Sequence, residues 1–260
     1  MKKTVIFFGL TLLLCFFTAC GNAPNQTIQI QEFASQTDIQ ELYETTEFID
    51  SNIKTLILDF GFKVTAELII EEFGDPWNSY KNFKLERNGQ PIYLDALWQR
   101  EYEFCNPLFP IVLQTGANSF ELLFEVNNRP FGSYLKRLFV SNDSVIGQDK
   151  LPTFVARAVD INNDGIKEFA GYFGIFEFWG ELGTFYGGNL DNLFTVYNPI
   201  LYFSVTETGL KLDSLLTKQR NEMIFGQFHG FSFNADIEPP IPASVIDRVN
   251  QEIELLRSKQ

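Results

Sequence analysis

Apolar and polar side chains alternate with a period of two along several short stretches of this chain. Residues 62–71 place apolar groups on one side of an extended backbone and charged or hydroxyl groups on the other, with one exception. Asn88 and Gly89 separate two further stretches, residues 81–87 and 90–94, which is a strong hairpin signal. The turns recur too closely for helical crossovers between parallel strands. We therefore predict a mainly β fold, either an antiparallel β-sandwich or a propeller-like domain.

Helical spacing is clearest near the end of the chain. Beyond the stiff Pro239–Pro242 segment, apolar residues recur at Ile246, Val249, Ile253 and Leu256, which predicts a C-terminal helix with Ser244 as its cap. The other predicted elements are a short helix over Thr37–Asp50, a hairpin of Leu201–Thr206 with Leu210–Ser214, and one or two strands within Glu222–Phe233.

The segment 153–178 combines two predicted strands with an acidic turn. From Asp160 onward, oxygen-bearing side chains stand at relative positions 1, 3, 5 and 9, with a glycine at position 6. This spacing suits Ca²⁺, which binds six to eight oxygen atoms. It is not an EF-hand loop, because position 12 is Gly171 and the flanking segments are strand-like. The alternative is a hairpin turn without an ion, since Asn, Asp and Gly favour turns. The predicted ligands are Asp160, Asn162, Asp164, the carbonyl of Ile166 and Glu168.

This strand–DxNxDGxxE–strand pattern resembles the calcium hairpin of FG-GAP and VCBS repeats, which build integrin-type propeller blades. The resemblance covers about 25 residues and implies a calcium ion held by the same five groups. It does not imply a full propeller, because the chain contains no second DxNxDG segment. Single-copy versions occur in small bacterial envelope proteins, including a propeller-like group that inhibits lysozyme.

The N-terminal residues indicate where the protein resides. Lys2 and Lys3 precede an apolar run over residues 4–17, which is short for a membrane span. The run ends in Phe17-Thr18-Ala19-Cys20, which resembles a bacterial lipobox. The resemblance implies a signal peptide over residues 1–19 and acyl chains such as palmitate on Cys20. The polar composition that follows predicts a tether over 20–36, and the strand patterns predict a β-rich domain over 37–260. The expected location is the outer membrane, facing the periplasm. A secretory signal cut near Ala19, or a short anchor, is the alternative.

Charge and cysteine content narrow the range of partners. The net charge of −13 argues against a nucleic-acid groove, so the expected partners are the membrane, through the lipid, and a glycan or protein ligand. Cys105 has no partner once Cys15 leaves with the signal peptide and Cys20 is lipidated. We therefore predict a buried Cys105 and a mature chain without an intramolecular disulfide.

The glycine-rich segment Gly171–Pro199 is the best candidate for ligand contact. Aromatic rings beside short polar acceptors are a common way to hold sugars, although in this Phe-rich chain such rings can equally fill the core. The candidate ligand-binding residues are Trp179, Tyr186, Glu177, Glu181 and Asp191.

Catalytic motifs are absent from the sequence. Glu177 and Glu181 could form a glycosidase pair, but a chain with 33 acidic residues contains many such pairs by chance. His229, the single histidine, is expected to be a packed ring on a strand. We predict that the protein is not an enzyme and has a non-catalytic binding or envelope-maintenance role. A lysozyme inhibitor and, less favoured, a glycan-active enzyme are the alternatives.

Overall fold

The structure of this protein is a computed structural model. It describes residues 46–50, 52–69, 79–96, 101–104, 106–127, 133–173, 185–186, 193–234, 237, 241–242 and 244–259. Within these residues, no helix is both long and apolar enough to cross a membrane.

Strands dominate the described part of the chain. The strands are β1 (Thr46–Asp50), β2 (Ile53–Ile57), β3 (Phe62–Leu68), β4 (Ser79–Arg87), β5 (Gln90–Asp95), β6 (Glu101–Glu103), β7 (Ile111–Gly116), β8 (Ser119–Asn127), β9 (Tyr134–Ser141), β10 (Ser144–Phe154), β11 (Glu168–Tyr172), β12 (Phe185–Tyr186), β13 (Leu193–Thr195), β14 (Leu201–Thr206), β15 (Gly209–Leu212) and β16 (Ile241–Pro242). The helices described are α1 (Ser214–Phe225) and α2 (Val245–Ser258).

The described strands pair antiparallel in one large open sheet. Its main path runs β1-β2-β3-β4-β6-β8-β9-β10-β11-β14-β15, with β5 paired to β4 and β7 paired to β8. Strands β12, β13 and β16 form a separate small sheet. The predicted mainly β class, the antiparallel pairing and the C-terminal helix are confirmed, and the large sheet does not close on itself.

Local sequence signals explain much of this path. The Asn88-Gly89 pair connects β4 to β5 with φ of 50° and 79°, the left-handed conformation that a tight hairpin requires. The predicted hairpin around Gly209 is present as β14 paired with β15. Because each turn joins neighbouring strands, most of the sheet follows the order of the chain.

Several of the local predictions are wrong. Part of Glu222–Phe233 belongs to α1, whose N-terminus is capped when Asp213 accepts a hydrogen bond from Leu216 N at 2.8 Å. Residues 46–50 form β1 and not the end of a helix over Thr37–Asp50, because they pair with β2; residues 37–45 lie outside the described part. In α2, Ser244 makes no capping hydrogen bond through its side chain.

In the described part of the chain, three apolar cores lie along the sheet, and β8 is buried on both faces. The first core contains Phe83, which stacks on Tyr102 at 4.2 Å between ring centroids. Leu122 belongs to this core, whereas the next residue, Leu123, belongs to the second core together with Phe154 and Phe169. The third core lies between β14 and the two helices. The acidic segment around Asp160 lies where the second and third cores meet.

A long-range contact ties β15 to β8. The Glu121 carboxylate accepts a hydrogen bond from Leu210 N at 3.1 Å and lies against Gly209, where a Cβ would be 1.9 Å from its Oε1. Arg137 donates to the Leu210 carbonyl at 3.0 Å. Gly209 also has φ of 104°, so only glycine fits this position without strain.

A buried polar cluster lies at the first core. Lys136 forms an ion pair with Asp95, and both side chains are almost fully buried. Tyr102 donates to Asp95 at 2.8 Å, and Lys136 donates to the Tyr102 hydroxyl at 2.9 Å. Each charge therefore has a charged partner and a hydroxyl partner inside the protein.

We expect Lys136→Met to lower the free energy of unfolding by about 3–5 kcal/mol, because it leaves the buried Asp95 carboxylate without its counter-ion. Lys84→Met is the matched control: its pair with Glu86 is more exposed and is worth at most about 1 kcal/mol. Urea denaturation at pH 7 measures both, and the Asp95→Leu/Lys136→Met double variant should recover part of the loss. Equal losses in the two lysine variants would contradict a structural role for the cluster.

Candidate metal centre

The acidic loop, residues 160–168, lies between β10 and β11. These strands pair through Thr153 with Tyr172 and Phe154 with Gly171, and Phe154 stacks on Phe169 at 4.6 Å. Gly171 permits this close approach, since a Cβ there would be 2.3 Å from the Thr153 carbonyl oxygen. The pairing therefore holds the two ends of the loop together.

An isolated bridge closes the loop itself. Val159 N donates to the Glu168 carbonyl at 3.0 Å, and Glu168 N donates to the Val159 carbonyl at 2.9 Å. Within the loop, Asn163 and Gly165 adopt φ of 61° and 88°, which turn the backbone back on itself. A Cβ on Gly165 would meet nothing within 4 Å, so the positive φ is the reason for glycine there.

Three of the predicted ligands are brought together by hydrogen bonds across the loop. The Asp160 carboxylate accepts from Asp164 N at 3.1 Å and from Gly165 N at 2.9 Å. Asn162 Oδ1 also accepts from Asp164 N at 3.1 Å, and its Nδ2 donates to Asp164 Oδ2 at 2.8 Å. Asp164 Oδ1 accepts from Ile166 N at 2.8 Å. The loop thus concentrates carboxylate and amide oxygens in one reversal.

Glu168 is the most unusual member of the predicted ligand set. Its side chain is 1% exposed, and its Oε2 accepts a hydrogen bond from Ile161 N at 3.1 Å. Its Oε1 is buried and has no hydrogen-bond partner among the residues that the structure describes. Burial, with repulsion from Asp164 and Asp160, raises the pKa of Glu168 to about 7, against the opposing effect of the Ile161 N–H. A carboxylate in this position is costly unless something positive faces it.

No lysine or arginine among the described residues forms an ion pair with Asp160, Asp164 or Glu168. In the same part of the chain, no three acidic, histidine or cysteine side chains converge closely enough to hold a metal by themselves. A calcium shell here would therefore need the Asn162 amide and the Ile166 carbonyl as well. With these two oxygens added the residues fit a hard cation, which would neutralise the carboxylates and supply a partner for Glu168 Oε1.

The other predicted site residues fall largely outside the described part of the chain. Tyr186 lies in β12, but its side chain is not among those described. His229 is not on a strand; its ring packs edge-on against Tyr197, 5.1 Å away, and the Tyr197 hydroxyl donates to the Gly230 carbonyl at 2.7 Å. The predictions that lie outside the described residues concern Cys20, Cys105, Glu177, Trp179, Glu181 and Asp191.

A second pair of carboxylates was not predicted from the sequence. Glu125 on β8 is 6% exposed, and burial raises its pKa to about 7, helped by repulsion from Glu103 on β6. The Asn106 side chain donates to Glu125, and Asn127 Nδ2 donates to Glu103 Oε1 at 2.7 Å. Only the β6–β8 pairing brings these residues together, so no local motif could have indicated them.

Comparisons with known protein families, with curated proteins and with solved structures give no match. The resemblance to the FG-GAP and VCBS hairpin therefore rests on the residues of the acidic loop and its flanking strands.

The burial of Glu125 makes the stability of the protein depend on pH. Its pKa is raised on folding, so the folded state holds a proton that the unfolded chain releases as the pH rises from about 4.5 to about 7, and stability falls over that interval. Glu125→Gln removes this loss. The free energy of unfolding of the variant, relative to that of wild type, should therefore be about 1–3 kcal/mol greater at pH 8 than at pH 5. Urea denaturation in chelator measures it, with the exposed Glu207→Gln as control. A difference that is the same at both pH values would contradict the burial argument.

Proposed function

We propose that this protein is a calcium-binding, lipid-anchored component of a bacterial envelope whose β domain has a non-catalytic role. The buried and unpartnered Oε1 of Glu168, beside the carboxylates of Asp160 and Asp164, carries the calcium part of the proposal. Bound Ca²⁺ would neutralise this charge and fix the reversal between β10 and β11. Asp160, Asn162, Asp164, the Ile166 carbonyl and Glu168 would be its ligands.

The chemistry of the loop favours calcium over other cations. Its donors are carboxylate, amide and carbonyl oxygens, which suit hard cations, and irregular oxygen shells of this kind suit Ca²⁺ better than Mg²⁺. Zinc prefers nitrogen and sulfur ligands, and neither histidine nor cysteine lies within residues 160–168.

The anchor and the cellular location are supported by sequence. The short apolar run and the Phe17-Thr18-Ala19-Cys20 segment favour lipidation of Cys20, and several acyl chains would hold the domain at the membrane durably. We place the domain on the periplasmic side of the outer membrane. Its ligand would be a glycan or a protein, and a muramidase inhibition assay tests the lysozyme-inhibitor alternative.

Glu168→Gln is the sharpest test of the calcium site. Wild type should melt about 2–8 °C higher in 5 mM CaCl₂ than in chelator, because a Kd of about 0.1–1 mM would add about 1–2 kcal/mol. The variant should lose most of this gain, since glutamine cannot act as a bidentate anionic ligand. In chelator it should melt at or above the wild-type temperature, because its amide removes a buried negative charge. Differential scanning calorimetry measures all four values.

Two further variants serve as controls for this test. Glu125→Gln removes a buried carboxylate of similar pKa outside the acidic loop, and should leave the calcium-induced shift unchanged. Asp160→Ala should lower stability in both buffers, because this carboxylate also accepts the Asp164 and Gly165 N–H groups. The calcium proposal fails if wild type shows no shift, or if Glu168→Gln moves the melting temperature equally in both buffers.

Cys20→Ser tests the anchor. We expect the wild-type protein to partition into the detergent phase and the membrane fraction, and the variant to lose both properties because it has no thiol to acylate. Intact mass spectrometry should show the acyl chains on wild type alone. Cys105→Ser is the control for loss of a thiol and should fractionate like wild type; identical fractionation of Cys20→Ser and wild type would refute lipidation.

A further inference from the structure

The end of α2 contacts the outer side of the acidic loop. Lys259, which follows the last residue of the helix, donates from Nζ to the carbonyl of Asp160 at 3.1 Å and to that of Ile161 at 3.2 Å. Arg257 Nε lies 3.4 Å from the Val155 carbonyl, on the segment that leads into the loop. The helix terminus therefore touches the backbone that would carry the first metal ligand.

The two residues that Lys259 contacts are also bonded to other residues of the acidic loop. The carbonyl of Asp160 bonds to the helix, whereas its carboxylate reaches across the loop to Asp164 N and Gly165 N. Ile161 accepts from Lys259 through its carbonyl and donates through its N–H to Glu168 Oε2. A shift of this short backbone segment would therefore move both the Lys259 contact and the carboxylates.

The rest of α2 is also held by contacts outside the loop. Glu252 accepts a hydrogen bond from the Tyr202 hydroxyl at 2.7 Å and from Arg220 Nε at 2.9 Å, while Arg220 Nη2 completes a two-point ion pair. Val245 and Leu256 are each 1% exposed in the third core. These contacts would keep the helix docked without the Lys259 contact, so we expect the loop to affect mainly its last turn.

We propose that Lys259 is a positioning residue of the calcium site, and that ion binding in the loop and docking of the last turn of α2 strengthen each other. This inference rests on the calcium site proposed above. Repulsion among Asp160, Asp164 and Glu168 favours a wider loop, which would weaken the carbonyl contacts of Lys259. With the ion, the loop is drawn together and both carbonyls are held in place. Because linkage is reciprocal, the contact must then favour the ion by the same factor.

The positive charge of Lys259 acts on the ion in the opposite direction. An ammonium group near the loop repels a divalent cation and by itself would lower the affinity for calcium. The Lys259 side chain is exposed, however, so water and salt screen its charge strongly. Positioning acts through direct hydrogen bonds to the backbone of the loop and is not screened in this way. We therefore expect positioning to outweigh repulsion.

Isothermal titration calorimetry with CaCl₂ on residues 20–260 tests whether Lys259 raises or lowers the affinity for calcium. Lys259→Met should raise the Kd for Ca²⁺ two- to tenfold, whereas Lys259→Arg, which keeps a donor, should restore part of the affinity. Lys218→Met removes an exposed lysine from α1, where it pairs with Glu222, and should leave the Kd unchanged. A role limited to charge repulsion would instead lower the Kd in Lys259→Met.

Hydrogen exchange of backbone amides supplies a second readout that does not depend on affinity. In wild type, calcium should slow exchange in residues 255–259 and leave the middle of α2, near Glu252, unchanged. In Lys259→Met the slowing at the helix end should largely disappear. An unchanged or lower Kd in this variant, or equal protection with calcium and chelator in wild type, overturns the inference. If wild type binds no calcium at all, the proposed function fails with it.

Discussion

The buried carboxylate of Glu168 is the constraint around which the acidic loop is arranged. Its backbone closes the loop on Val159, its Oε2 accepts the Ile161 N–H, and the next residue, Phe169, packs in the second core. Moving the carboxylate into water would require breaking the bridge or displacing Ile161. The fold therefore imposes the burial, and either protonation, which the raised pKa of Glu168 favours, or a counter-charge lowers its cost.

The strands could be predicted from the sequence where an alternating apolar pattern and the turn residues are adjacent in the chain. The β4–β5 hairpin is specified by an alternating pattern and by Asn88-Gly89, and the β14–β15 hairpin by Gly209. The acidic turn could also be predicted from the sequence, because its hydrogen bonds join residues within five positions of one another. In these places the local conformation and the tertiary pairing favour the same structure.

Helix α1 shows why other parts could not be predicted. Its buried residues include polar Thr217 and Asn221, which bond to the backbone of the neighbouring strand segment at Tyr202 and Ile200. Because polar residues occupy buried positions, α1 has no apolar stripe. Its sequence therefore lacks the periodic pattern by which a helix is predicted. The same limit applies to the buried Lys136–Asp95 pair and to buried Glu125 beside half-buried Glu103, since only the folded sheet brings these partners together. From sequence alone, charged residues are assigned to the surface, because their neighbours in the folded protein are not known.

The contact between Glu121 and the Gly209–Leu210 turn has a consequence for the order of assembly. Most strand pairs join neighbours in the chain and close short loops at low entropic cost, so they can form early. The Glu121 contact instead joins residues about 90 positions apart, and both partners must already be structured for the carboxylate to meet the Leu210 N–H. We therefore expect the contact between β8 and β15 to form late in folding, after the strands around each partner have paired.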